Sequence, residues 1–222
     1  MSFAKADFPA FCLSRFRLAL MALILAFCGA LHAEAKAPDA VIHDVSEDIL
    51  QILRTDPAIK GGDKEKAKKI VYEKILPVVH IRRTAQLVLA RHWGSANSKQ
   101  KDDFTIQFRD FLINSYATAL TEFENEKVKY SKAAISPSGK TATVKTVVIR
   151  SNGQEIPVDY YLEKTPDGWR IYDVAIENVR MVINYRNTFD QKIREKGLDG
   201  LIAELADKNR RGIAEPPPRQ GG

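Results

Sequence analysis

Four runs of alternating residues, separated by three short turn segments, constrain this chain more than any other feature. From Lys127 onward the hydrophobic period becomes two, which predicts strands over 127–135, 140–150, 155–164 and 169–176. Between them stand Ser136-Pro137-Ser138-Gly139, Asn152-Gly153 and Pro166-Asp167-Gly168, all strong turn formers. Connections this short join only antiparallel neighbours, so the runs form a meander. A two-residue turn at Asn152-Gly153 sets Ile149 opposite Ile156 and Val147 opposite Val158. A three-residue loop at 166–168 sets Thr165 opposite Trp169, and so Val158 opposite Ile176, Tyr160 opposite Val174 and Leu162 opposite Tyr172. One sheet face then carries Val147, Ile149, Ile156, Val158, Tyr160, Leu162, Tyr172, Val174 and Ile176. Such a face needs a cover.

The flanking sequence supplies it. Helices are predicted over 38–54, 63–76, 81–93, 98–124 and 178–196, with a short last one after Asp199. Asp63 is a candidate N-cap, while Pro77, Gly94 and Gly197 are stops. On the long helix Phe104, Phe108, Leu112, Tyr116 and Leu120 recur every four residues, as do Met181, Tyr185, Phe189 and Ile193 near the C-terminus. The expected fold class is α+β, an antiparallel four-stranded meander covered by N- and C-terminal helices. Residues 34–212 form its body, with a helical part at 34–96 and a helix–sheet–helix part at 97–212. Residues 213–222, ending EPPPRQGG, read as a disordered tail.

Residues 1–33 read as a secretory signal peptide. Lys5, Arg15 and Arg17 precede an uncharged apolar run, LALMALILAFCGAL at 18–31, followed by small residues at Ala33 and Ala35. The run is 14 residues long, whereas a spanning helix needs about 20. Cleavage is expected after Ala33 or Ala35, releasing an exported chain. Loss of residues 1–33 removes three bases and one acid, lowering the surplus from +6 to +4. It also removes Cys12 and Cys28, the only cysteines, so the exported chain has neither disulfide nor thiolate chemistry. So small a surplus argues for no nucleic-acid partner.

Catalytic and metal motifs are sparse. His43, His80 and His92 form no zinc-ligand spacing, and neither a GxSxG elbow nor a phosphate-binding glycine loop occurs. Asp159, Asp173, Tyr116, Tyr160 and Tyr172 could serve an acid/base reaction of the small-isomerase kind, but the register puts Asp159 and Asp173 on the face away from Tyr160. What remains is an aromatic and aliphatic surplus facing one interior, which by composition alone is either a filled core or a lined cavity.

Two stretches carry a family resemblance. QKDDFTIQFRDFLINSYATAL at 100–120 resembles a Q…F…F…L…TYA pattern of the MlaC family of ABC-transporter auxiliary proteins. WRIYDVAIENVRMVINYRNTFDQKIREKGLDGLI at 169–202 resembles that family's W-x-[VI]-YDV-x-IEGVSLVxNYRSQF…GxDxLI stretch. The chain departs from it at Asn178, where the family has glycine, at Arg180, where it has serine, and at VVHIRR after Leu76-Pro77. The resemblance implies an NTF2-like cone with a helical annex and an internal lipid cavity. It also implies a monomeric periplasmic carrier that binds phospholipid acyl chains and shuttles lipid between an inner-membrane ABC/MCE transporter and an outer-membrane lipoprotein complex. No enzyme activity, cofactor or metal is implied. The cavity wall expected from it comprises Phe108, Leu112, Tyr116, Leu120, Val147, Ile149, Val158, Tyr160, Val174, Ile176, Val182, Tyr185 and Phe189. Alternatives are a carrier of another amphiphile such as a hopanoid, an NTF2-like isomerase, and a docking adaptor with a filled core.

Overall fold

The structure, a computed structural model, describes residues 36–122, 125–213 and 215. The expected signal peptide and all but Ile213 and Glu215 of the expected tail lie outside these residues. Among the described residues, seven helices and six strands follow in order: α1 (Pro38–Thr55), α2 (Pro57–Lys60), α3 (Lys64–Ile70), α4 (Ile81–Leu89), α5 (Arg91–Ser95), α6 (Ser98–Thr121), β1 (Lys127–Tyr130), β2 (Ala134–Ile135), β3 (Thr141–Ile149), β4 (Glu155–Thr165), β5 (Gly168–Ile176), β6 (Val179–Arg180) and α7 (Met181–Arg210). The fold is α+β, with helices flanking one antiparallel sheet of order β1-β3-β4-β5-β6, in which β2 also pairs with β3.

Local chemistry accounts for most boundaries. Asp63 Oδ1 accepts the Lys66 amide and starts α3. Pro77 cannot continue a helix, and the chain ahead of it loosens into a π-turn at Val71–Ile75 and then tightens into a 3₁₀ turn at Leu76–Val78. Asn97 caps α6 through a reciprocal capping box with Gln100. The helix expected over 81–93 breaks at Ala90 (φ 47°) into α4 and α5. Gly197 (φ 74°, ψ 171°) kinks α7 where a stop was expected.

The sheet corrects the expected register in one hairpin and vindicates it in part of the next. Arg150 N donates to Gln154 O, Gly153 N donates to Arg150 O, and Gly153 has φ 84°, so the β3–β4 loop is Ser151-Asn152-Gly153, one residue longer than expected. One residue of slip turns every β3 side chain over. Ile149 therefore faces Glu155, Val147 faces Pro157, and it is Thr146 and Val144 that face Val158 and Tyr160. Val147 and Ile149 thus leave the Val158–Tyr160 face, which Ala142, Val144 and Thr146 occupy instead. The β4–β5 loop is one residue shorter than expected, with Thr165 opposite Gly168. A bulge then pairs Leu162 with Ile171 and Tyr161 with Asp173, absorbing Tyr172. The two deviations cancel, so Tyr160–Val174 and Val158–Ile176 pair as expected.

Three apolar clusters hold the fold. Phe104, Phe108, Phe111, Tyr185 and Phe189 pack α6 on α7, with ring centroids 5.4–6.5 Å apart in mostly edge-to-face geometry. Leu53, Ile59, Ala67, Ile70, Ile113 and Ala117 join α1–α3 to α6. Ile42 of α1 meets Ala142, Val144, Leu162, Trp169 and Ile171, covering part of the apolar sheet face. Val174 and Ile176, on the β5 part of that face, line a pocket.

Kinked α7 is tied across its bend by charge. Glu204 pairs with Lys192 and Lys196 on one side of the kink and with Lys208 (3.0 Å) on the other. Burial works to raise its carboxyl, but the three ammonium groups outweigh this and hold it down at about 2. A depressed folded pKa gives stability that is present above the ordinary value of 4.5 and lost as the pH falls toward 2. The midpoint difference between wild type and Glu204→Gln in urea unfolding is therefore expected to be full at pH 6 and to vanish near pH 2. A pH-independent difference would overturn this.

Candidate functional site

An apolar pocket of about 520 Å³ lies between α6, the irregular stretch after α3, the start of α4, and the β5–β6–α7 corner. Val71, Ile75, Leu76, Val79, Ile81 and Thr84 form one wall. Arg109, Leu112, Ile113, Tyr116, Ala119 and Leu120 of α6 form a second. Ile171, Tyr172, Asp173, Val174, Ile176, Glu177, Val179, Met181 and Asn184 complete it. Arg109 and Leu120 are eleven positions apart, so the α6 wall is about 16 Å long at the helical rise. Ala119, Ile176 and Glu177 are exposed, which opens the pocket to solvent at that end.

The floor is held by a buried carboxylate. Asp173 is 1% exposed. Its Oδ1 accepts the amides of Val174 (2.9 Å) and Val182 (3.0 Å), and its Oδ2 accepts from Arg180 (2.8 Å). Val182 N is one of the orphan donors at the start of α7, so a strand residue satisfies a helix terminus and locks the β5–α7 corner. Arg180 also lies 4.3 Å from the Tyr161 ring centroid. With both oxygens committed, Asp173 is a structural tie and not a free acid. The reversal above it uses Glu177 (φ 50°) and Asn178 (φ 66°) between paired Ile176 and Val179, and asparagine tolerates this left-handed conformation. Burial pushes the Tyr116 phenol up to about 12, keeping it neutral beside Tyr185.

Of the thirteen wall residues expected from the sequence, Leu112, Tyr116, Leu120, Val174 and Ile176 line this pocket. Phe108, Val182, Tyr185 and Phe189 instead fill the α6–α7 core. Val158 and Tyr160 lie on the apolar sheet face outside the pocket lining, and Val147 and Ile149 lie on the other face. A spacing of four residues advances about 40° beyond a full turn at 3.6 residues per turn. The stripe from Phe104 to Leu120 therefore winds across α6, giving its early members to α7 and its later ones to the pocket. The same drift gives Met181 to the pocket and Tyr185 and Phe189 to the core. The wall from Val71 to Thr84 and the cation at Arg109 were missed. The apolar run before Pro77 was their one visible signal.

Comparisons with known proteins agree with this architecture. The family model described as MlaC protein matches residues 43–207. The intermembrane phospholipid transport system binding protein MlaC of Haemophilus influenzae is 20% identical over 173 residues, covering 76% of this chain and 80% of that protein. The toluene tolerance protein of Pseudomonas putida is 23% identical over 201 residues, covering 87% and 93%. The phospholipid-binding protein from Ralstonia solanacearum, solved in complex with a phospholipid, superposes with a TM-score of 0.74 at 29% identity, covering 80% of this chain and 99% of that one. The match spans the α6 wall, the whole sheet and most of α7, and on that ground the chain belongs to the MlaC family.

Proposed function

We propose that this protein is a periplasmic phospholipid carrier that takes acyl chains into the pocket between α6 and the β5–α7 corner. The observation that carries the reading is the pocket itself, concave and lined mostly by aliphatic and aromatic side chains. Each CH₂ moved from water into it gains about 0.8 kcal/mol, so a chain-bearing ligand needs no charged grip to be held. Its likeness to a protein solved with bound phospholipid, and to one named for intermembrane phospholipid transport, supports phospholipid as the cargo. The leader-like residues 1–33 support export, and among the described residues no helix is long and apolar enough to cross a membrane. The carrier would work between an inner-membrane ABC/MCE transporter and an outer-membrane lipoprotein complex. Such a role calls for binding and release without bond chemistry.

Native mass spectrometry of the mature protein taken from its own envelope, followed by denaturation and lipid identification, tests this. A stoichiometric phospholipid adduct is expected. A hopanoid adduct would keep the mechanism and change the cargo. A bare mass, unchanged after incubation with vesicles, would overturn the carrier reading.

A further inference from the structure

We propose that the C-terminal segment after Glu215 straps across the open end of the pocket and shields it while no lipid is bound. The closing role rests on the carrier reading above, whereas the course of the strap does not. The exit of the chain from α7 is fixed. Gly212 (φ 63°) ends the helix in a Schellman motif, with Ile213 N donating to Lys208 O at 3.0 Å and Gly212 N to Asn209 O at 3.1 Å. The last turn of α7 lies on α6, where Asn209 Nδ2 donates to Gln107 O at 2.9 Å and Asn209 Oδ1 accepts from Asn114 Nδ2 at 3.3 Å. Glu215 is then held at three points. Its amide donates to the buried Ser115 Oγ at 3.2 Å, its carbonyl accepts from Tyr185 Oη at 3.4 Å, and its carboxylate pairs with Lys208. These contacts advance along α6 from Gln107 to Ser115, toward the mouth of the pocket. Exposed Ala119, at that mouth, is one helical turn beyond Ser115, about 6 Å along the axis. Residues 216–219 read Pro-Pro-Pro-Arg. A proline run favours the extended polyproline II form at about 3.1 Å per residue, so these four reach about 12 Å from Glu215, past Ala119. Their fixed φ keeps the entropy lost on docking small, and their rings suit the exposed apolar lip at Ala119 and Ile176. Arg219 is the only charged side chain after Glu215, and exposed Glu177 at the mouth has no ion-pair partner among the described residues. Proximity, shape and charge therefore all favour the chain's own tail as the occupant of this lip.

Loss of residues 1–33 leaves no cysteine, so an introduced pair reports contact cleanly. In the delipidated mature protein, the Ala119→Cys, Pro217→Cys double variant is expected to form its disulfide readily under mild oxidation. Loading with phosphatidylglycerol is expected to cut that yield at least threefold. The Ile106→Cys, Pro217→Cys variant is the control, because exposed Ile106 lies 13 residues before Ala119 on α6, about 20 Å away. Equal yields from the two pairs would mean a tail with no preferred course and would overturn the strap. A yield at Ala119 that lipid leaves unchanged would overturn its closing role. Ending the chain after Glu215 supplies an independent reading. In equilibrium transfer from vesicles, the shortened chain is expected to bind phosphatidylglycerol about threefold to tenfold more tightly, because a strapped form no longer withholds part of the empty protein from lipid. Unchanged affinity would also overturn the closing role. If neither the full nor the shortened chain takes lipid, the carrier reading falls instead, while the cross-link in the empty protein still reads the strap by itself.

Discussion

Leu112→Asp is expected to leave the fold standing and to remove the bound phospholipid. Leu112 is partly buried, in the middle of the α6 wall, with Arg109 one turn before it and Tyr116 one turn after. A carboxylate there would face acyl chain instead of water, and the bound state would have to bury it unpaired or leave the chain out. The apo protein escapes that cost because the pocket is open and water can enter. Affinity should therefore fall by roughly a hundredfold or more, about 3 kcal/mol, while far-ultraviolet circular dichroism stays that of wild type. Val147→Asp is the matched control. The observed register puts Val147 opposite Pro157 and Lys129, on the sheet face away from Val144 and Tyr160. It should retain lipid at wild-type stoichiometry. The pair separates the two possible β3 registers by function. Lipid retained by Leu112→Asp and lost by Val147→Asp would move the site to the other face of the sheet.

How this pair comes to be the informative one shows what the sequence could and could not convey. The meander was legible because Ser136–Gly139, Asn152-Gly153 and Pro166–Gly168 are short and rich in turn formers. The register was not, because Asn152-Gly153 serves a two-residue turn and a three-residue loop equally well. The difference lies in whether Arg150 or Ser151 closes the hairpin, and that is decided by the left-handed Gly153 and by the Asn152 side chain accepting the Gln154 amide. The bulge at Tyr172 was likewise invisible, since it preserves the alternation on both sides of itself. The pocket was half legible. Leu112, Tyr116 and Leu120 could be placed on one helix face, but the slow winding of that face, which separates core from lining, depends on where α7 docks. The wall at Val71–Thr84 comes from a stretch that is neither regular helix nor strand, and period-based reading has least to say there.

Asp173→Ala is expected to cost about 3 kcal/mol, a drop of roughly 6–12 °C in melting temperature for a body of this size. The substitution leaves the Val182 amide at the start of α7 and the Arg180 guanidinium without their acceptor. Arg180 is about one-third exposed and can turn toward solvent, so the loss should sit at the lower end of the range for breaking a buried ion pair. Asp173→Asn keeps an oxygen for the backbone amides and should cost less than alanine. Urea unfolding midpoints at pH 7 measure both, and an alanine variant as stable as wild type would show that the β5–α7 corner is held by packing alone. The acid side gives a second, independent reading. Burial is the largest influence on the Asp173 carboxyl and raises it above its ordinary value, against the pull of the Val182 amide and Arg180. A carboxyl whose folded pKa is raised contributes stability that is fully present below its unfolded pKa and is lost as the pH rises through the folded one. Removing the cation should deepen this, so Arg180→Met should be markedly less stable than wild type at pH 7 and recover part of the difference at pH 4. If Arg180→Met is equally destabilised at both pH values, the carboxylate is held by its backbone donors and Arg180 contributes only through its contact with Tyr161.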